Sequence, residues 1–365
     1  MGVHTLLPVM AVTFVVTVAV MLAMYPFAIK IGLVDRPGGR KRHEGTVPLI
    51  GGLAIFAGMI VGEFLIGPPT VGFASALVAG SLLIIIGAID DAITLPTITR
   101  IITQVSVVLI MIYGAGLQLA DIGEPFGTGV ISMGRFAVIF TVVVSLTMIN
   151  AYNLVDGLDG LAGSLATIAL LSVAIVAGTD NIFGPAALVA VAAIAGFLVF
   201  NFPVSWNRSV RSFMGDAGST LLGLTIVWVT LGISQGAERV ISPVHCLWFA
   251  AIPVFDCLSC FVCRLLKKKS PFTPGRDHFH HSLRRGGFGI RSSMGVLAGF
   301  QLVYATIGLM GYFTGVPDAV MFAGWSVIGL SQRWVIRIVA RLHRRYLLSQ
   351  ARSRQLARQN ETART

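Results

Sequence analysis

The chain has 365 residues, 55% of them hydrophobic and only 12% charged, with a mean hydropathy of +0.83, which excludes an ordinary soluble globule. A formal charge of +11 would suit nucleic acid or an anionic membrane face, so the placement of the basic residues has to decide between them. The 41 glycines fit transmembrane helices, where small residues let neighbours approach closely.

Eleven apolar stretches predict membrane spans near residues 5–29, 49–66, 72–89, 98–118, 136–152, 160–178, 185–204, 218–236, 241–266, 293–314 and 318–340. Each approaches the roughly 17–25 residues that a bilayer core requires. The fold class is all-α, a polytopic integral membrane protein. The opening stretch lacks a basic n-region, so it reads as a span and not as a cleavable signal. No internal repeat or low-complexity segment interrupts the series.

Of the 27 Lys and Arg residues, all but Arg135 and Arg239 fall in the odd-numbered connections, the last span or the tail. The positive-inside rule then puts those connections and the C-terminus in the cytoplasm and the N-terminus outside. The charge is topological, with anionic membrane lipids as its expected contact, and nucleic-acid binding is not needed to explain it.

In chain order, the first cytoplasmic connection carries Asp35-Arg36-Pro37 and Arg40-Lys41-Arg42, a positive-inside loop suited also to attracting phosphate. The third span's apolar run ends in Asp90-Asp91. Adjacent carboxylates repel each other near an interface unless a cation binds them, and their oxygens suit Mg²⁺ or a general base. A solvated interfacial pair is the plainer account. The fifth connection opens with Asn150, Asn153, Asp156 and Asp159, at intervals of three. That spacing keeps neighbours on roughly one helical face, and Gly157 and Gly160 let the backbone turn or approach a ligand. A capped loop would use the same residue types. In the seventh connection, Gly215-Asp216-Ala217-Gly218 leads into a span; Asp216 is either a plain N-cap or a metal-holding carboxylate beside a phosphate-binding helix start.

Cys257, Cys260 and Cys263 form a C-x-x-C-x-x-C run inside an apolar helix, and Cys246 stands apart; we read all four as small packing residues. Glu63 and Asp256 lie in or near spans and are expected to find local partners outside the site. The ninth connection carries Asp277-His278-Phe279-His280-His281, then Arg284-Arg285. Zinc would need a second ligand cluster, which the neighbouring sequence lacks, so these groups read as donors to phosphate.

All these motifs map to one membrane face. Carboxylates, a divalent metal and basic groups without an obvious nucleophile point to phosphoryl transfer, and the membrane location to a lipid phosphate as one substrate. A transporter is the competing class, but it would hold its polar residues near the midplane, often in repeat-related positions.

Asp90-Asp91, Asn150-x-x-Asn153-x-x-Asp156-Gly-x-Asp159-Gly, Met214-Gly-Asp216-x-Gly-Ser219 and His278-x-His280-His281 together resemble the polyprenyl-phosphate N-acetylhexosamine-1-phosphate transferases. The resemblance spans Gly32 to Phe288. The spaced histidines, the span count and the basic tail look closest to the bacterial branch that uses UDP-N-acetylglucosamine and undecaprenyl phosphate, releases UMP and starts O-antigen or common-antigen glycans. It implies a single transmembrane catalytic domain over residues 1–341, a basic cytoplasmic tail over 342–365, and residence in a bacterial inner membrane with a periplasmic N-terminus. It implies Mg²⁺, with Mn²⁺ as a substitute, and a homodimer. The catalytic set so implied is Asp90 as general base, Asp91, Asp156, Asp159 and His278. Substrate binding falls to Asn150, Asn153, Asp159, Arg264, His278, His280 and His281, and the metal to Asn153 and Asp216. Ala92-Ile93-Thr94-Leu95-Pro96 departs from the charged residues that often follow the Asp pair in this family. Direct attack by the lipid phosphate is the preferred mechanism, with a two-step route through a phospho-aspartyl enzyme as its competitor.

Overall fold

In lipid a backbone must satisfy its own polar groups, and a helix does this within one segment. Helices accordingly occupy every apolar stretch in the computed structural model, which describes residues 3–35, 45–67, 70–203, 211–237, 239–268 and 277–362. The expected phosphate-attracting run Arg40-Lys41-Arg42 lies outside the described residues.

The order is α1 (Val3–Ile31), a two-stranded antiparallel ribbon of β1 (Val34–Asp35) and β2 (Val47–Pro48), α2 (Gly51–Ile66), α3 (Val71–Ile93), α4 (Thr97–Ala115), α5 (Ala137–Val155), α6 (Leu161–Ala177) and α7 (Phe183–Asn201). There follow α8 (Gly215–Ser234), α9 (Pro243–Cys246), α10 (Ala251–Leu266), α11 (Phe279–Arg285), α12 (Ile290–Phe313) and α13 (Asp318–Thr362). Among the described residues seven helices have the length and apolarity to cross a membrane. The sequence count of eleven exceeds this because α2, α6 and α10 have only 16, 17 and 16 residues, and α13 runs from an apolar start into a long basic end.

The stretch at 241–266, expected as one span, is broken. Pro243 starts α9 behind a Ser242 cap, and helix resumes only at Ala251. Buried Gln301 of α12 stitches the gap: its Nε2 donates to the Phe249 carbonyl at 2.6 Å, and its Oε1 accepts the Ile252 N–H at 2.9 Å. Trp325 of α13 donates to the Leu247 carbonyl at 3.1 Å. Irregular backbone inside the bundle is tolerated because neighbouring side chains supply its partners.

Helix α8 is the most enclosed of the seven and packs against α2, α3 and α5. Small residues make this possible: a Cβ on Gly52 would meet the Gly218 Cα at 2.5 Å, and one on Gly223 would meet the Ile149 Cα at 2.5 Å. Because the spans alternate in direction, the ends of α3, α5, α7 and α10 and the start of α8 gather at one end of the bundle, beside α11. Helix α13, at about 1.5 Å per residue, far exceeds a bilayer core of about 30 Å. It continues unbroken past residue 341, so the expected domain boundary there is one of composition. Its residues Ala340 and His343 pack on Gly286 and Phe288, just after α11.

Candidate active site

The site begins with how α8 is started. The segment before it runs alongside Pro48–Gly52: the Phe213 N–H donates to the Pro48 carbonyl at 2.9 Å, and the Gly51 and Gly52 N–H groups donate to the Phe213 and Met214 carbonyls at 3.0 Å. Gly215, at φ +74°, turns the chain into the helix in a conformation that L side chains rarely adopt. Asp216 is thereby delivered to the end of the bundle. Asp91 reaches across from α3, its Oδ1 accepting the Asp216 N–H at 2.8 Å and its Oδ2 the Ala217 N–H at 3.4 Å. A carboxylate there satisfies orphan amides and complements the positive end of the helix dipole.

Asp90, one residue earlier, faces elsewhere. Its Oδ1 accepts the Leu95 N–H at 2.5 Å, and its Oδ2 lies 3.4 Å from Arg100 Nη1. The same Arg100 nitrogen is 3.5 Å from Asp216 Oδ2, so one guanidinium bridges two carboxylates. Asn153 of α5 donates its amide to Asp216 Oδ1 at 2.9 Å and to Ser219 Oγ at 3.0 Å.

Beyond α5 the chain turns through Asp156 to Gly160. Asp156 is partly buried, and its carboxyl is pushed up to about 7, by desolvation first and then by the neighbouring Asp216 and Asp91. Asp159 forms an ion pair with Arg211, whose guanidinium lies 5.5 Å from the Phe213 ring centre. The Gly160 N–H donates to Asn201 Oδ1 at 2.7 Å, and Asn201 donates to the Ser212 carbonyl at 2.9 Å, which ties this turn to the segment before α8. Asp90, Asp91, Asn153, Asp156, Asp159 and Asp216 all line one cavity of about 870 Å³. Arg100, Arg211, His281, Arg284 and Arg285 line it from the other sides.

The remaining expected residues lie behind its wall. Asn150 donates to Gln104 Oε1 at 2.7 Å and to the Leu146 carbonyl at 2.8 Å, an interhelical contact with α4. Arg264 is buried on α10. His278 and His280 are buried, and of the three histidines only His281 borders the cavity. His280 fits where Gly157 has no Cβ, and its ring stacks on His278 with centroids 5.8 Å apart. Burial, then His281 and His278, push His280 down to about 3, so it stays neutral.

Asp256, set aside in the sequence reading, is at the centre of this loop. Its Oδ2 is 3.1 Å from His278 Nδ1, and its Oδ1 accepts the Phe279 N–H at 2.9 Å. Cys260 also departs from the expected packing role, because its Sγ lies 3.5 Å from His278 Nδ1. Asp256, Cys260 and His278 offer ligand atoms within 4.8 Å of one another, the cluster that the sequence did not show. Burial opposes charge on His278, but hydrogen bonds to Asp256 and Cys260 prevail and push it up to about 10. A spacing of 22 residues hides the Asp256–His278 pair from a motif search. Arg100 and Arg211 were also missed as site residues, because as isolated loop charges they served the topology argument equally well.

The model of the family described as Glycosyl transferase family 4 matches residues 73–234. An undecaprenyl-phosphate alpha-N-acetylglucosaminyl 1-phosphate transferase of Yersinia pestis is 36% identical over 85% of this chain and 86% of its own length. Proteins with the same description are 35% identical in Escherichia coli strain K12 (87% and 89%) and in Pasteurella multocida strain Pm70 (92% and 96%).

Proposed function

The chain belongs to glycosyl transferase family 4 and is a glycosyl-1-phosphate transferase, and from that premise we propose the following reaction. It transfers N-acetylglucosamine 1-phosphate from UDP-N-acetylglucosamine to undecaprenyl phosphate, with release of UMP. The observation that carries this reading is the single cavity in which six aspartates face four arginines and a histidine at one end of a membrane bundle. A diphosphate needs cationic donors, and a phosphate nucleophile needs a base and a neutralised electrophile.

In the proposed step, a lipid-phosphate oxygen attacks the sugar-bearing phosphorus of the donor. A new P–O–P bond forms, the P–O bond to the UMP phosphate breaks, and its electron pair leaves with UMP. Asp90, with one oxygen held by the Leu95 N–H and the other beside Arg100, orients or deprotonates the attacking phosphate. Arg100 and Asp91 fix the position of Asp216. Asp159 and Arg211 border the region proposed for the nucleotide, and His281, Arg284 and Arg285 that for the sugar diphosphate. Direct transfer suits one cavity of about 870 Å³ whose carboxylates and arginines face a common space in which both phosphates would meet.

The donor set fits Mg²⁺, with Mn²⁺ as a substitute. It is built from oxygens, and Asp156 is held partly protonated by desolvation among carboxylates that a cation would compensate. Asp216 and Asn153 would hold the ion, the latter through its amide oxygen after a half-turn of the amide. When bound, the ion neutralises diphosphate charge.

The one-sided distribution of basic connections supports a cavity at the cytoplasmic face of a bacterial inner membrane, with a periplasmic N-terminus, as part of the same proposal. Assembly as a homodimer and a role in starting O-antigen or common-antigen glycans belong to the same proposal. Purified enzyme in detergent, given undecaprenyl phosphate, Mg²⁺ and UDP-N-acetylglucosamine, should release UMP, and Asp90→Asn and Asp216→Asn should each cut the release about 100-fold or more. Release with a different UDP-N-acetylhexosamine alone would reassign the sugar. Labelled phospho-enzyme trapped from UDP-sugar without lipid would replace direct attack with the two-step route. No release from any sugar nucleotide would overturn the reading.

A further inference from the structure

Asp256 makes no contact with the cavity, yet it is almost wholly buried and receives both the side chain and the following backbone N–H of the first residues of the histidine loop. Burying a carboxylate is costly unless it is paired and hydrogen-bonded, so these partners account for its presence in α10. The loop needs such an anchor because α11 has only seven residues, too few to hold itself. Its other face rests on α13 through Gly286 and Ala340. His278, clamped by Asp256, stacks on His280, and His280 abuts Gly157 in the turn that carries Asp156 and Asp159. On the same short helix, His281, Arg284 and Arg285 face the cavity.

We propose that Asp256 is a positioning residue for the transfer reaction: it pairs with His278 and anchors the start of α11, which sets His281, Arg284 and Arg285 against the donor diphosphate. This rests on the function proposed above.

Among the described residues, the charged and titratable groups around His278 come from α10, α11, α13 and the segment just before α11. Asp256 and Cys260 belong to α10, and Arg333 belongs to α13, with its Nη1 3.6 Å from Cys260 Sγ and its Nη2 3.8 Å from Asp277 Oδ1. His280 and His281 belong to α11. Arg333 beside Cys260 adds a fixed positive charge next to these three side chains, which favours a hydrogen-bonded pair over a metal site.

The test uses the full chain in detergent, comparing wild type with Asp256→Asn, Asp256→Glu and His278→Asn. In histidine-ring nitrogen NMR, with the His278 signal identified by its loss in His278→Asn, wild-type His278 should stay protonated past about pH 9, whereas in Asp256→Asn it should titrate below about pH 6.5. This readout does not depend on turnover. In the UMP-release assay, Asp256→Asn should lower kcat about 10–100-fold with the KM for UDP-N-acetylglucosamine little changed. Its rate relative to wild type should rise on acidification, as protonation restores the imidazolium, and Asp256→Glu should recover part of the rate. Adding Asp256→Asn to His278→Asn should cost little more, since the two act as a unit.

A relative rate independent of pH, together with an unchanged His278 titration, would reduce Asp256 to a structural strut and overturn the proposal. Stoichiometric zinc in wild type, lost in Asp256→Asn, would replace it with a metal site. A wild type without turnover would sink the proposed function while the NMR titration still judged the pair.

Discussion

The carboxylate of Asp91 on α3 receives the backbone N–H of Asp216 on α8 across 2.8 Å, so one helix caps the start of another. Its neighbour Asp90 points instead to the Leu95 N–H and Arg100. Two adjacent carboxylates therefore have separable duties. Asp91→Asn keeps the shape but turns an amide N–H toward a backbone donor, and should cost about 0.5–2 kcal/mol of stability, as loss of a helix cap does. Asp90→Asn keeps an acceptor for Leu95 and should leave the unfolding midpoint nearly unchanged while turnover falls about 100-fold or more. Thermal unfolding in detergent beside UMP release separates the two. If Asp91→Asn kept its midpoint and lost all turnover, Asp91 would belong with the reacting groups.

Among the described residues, Arg100 is the cation shared by Asp90 and Asp216. Replacing it with Ala leaves two carboxylates facing each other without their counter-charge, and kcat should fall about 100-fold. Arg100→Lys restores charge without the planar fork and should fall between Ala and wild type. A wild-type rate for Arg100→Ala would remove the residue from the site.

The contrast between Asp90 and Arg100 shows what the sequence could display. Asp90-Asp91, the Asn153 to Asp159 run and Gly215-Asp216 announce themselves because polar groups at the ends of apolar runs are costly, and one-sided basic connections place them at one face. Arg100 and Asp256 carry no such signal. The first looks like any interfacial charge, and the second becomes meaningful only when α10 and α11 are brought together in space. The break at residues 247–250 was equally hidden, because the apolar run continues through it and the gap is made tolerable by Gln301, some fifty residues later, and by Trp325. Helix placement follows from local hydropathy, whereas pairings between distant helices depend on packing that no local pattern encodes.

Asp156 gives the site a pH dependence whose sign can be worked out. Its carboxyl is raised from an ordinary value of 3.8 to about 7, so between those values the folded chain binds more protons than the unfolded chain. Stability is therefore fully present below the lower value, declines as pH rises, and is lost above about 7, where a desolvated charge must be carried. With EDTA present, the unfolding midpoint should fall between about pH 5 and pH 8, and Mg²⁺ should raise it more at the higher pH, where the carboxylates are ionised. Asp156→Asn should flatten both trends relative to wild type. A midpoint that rose with pH in the metal-free protein, or an Mg²⁺ effect equal at both ends, would contradict the acid cluster as the cation's seat.

The crossing of α2 and α8 ties stability to site geometry, since Gly52 lies against Gly218 and its N–H also holds the Met214 carbonyl at 3.0 Å, immediately before the Gly215 turn. A Cβ at residue 52 meets backbone, which cannot rotate away, so Gly52→Ala has to push the helices apart. Overpacking of this kind costs about 1–3 kcal/mol. Because the displaced strand of chain leads directly to Asp216, turnover should fall further than the loss of folded protein explains. Gly295→Ala on α12 is the matched control: nothing lies within 4 Å of its Cβ, and the substitution should be neutral or stabilise the helix by up to about 1 kcal/mol. Unfolding midpoints and the specific activity of the folded fraction, measured for both variants, test the coupling. Equal behaviour of the two would mean that the α2–α8 contact does not hold Asp216 in place.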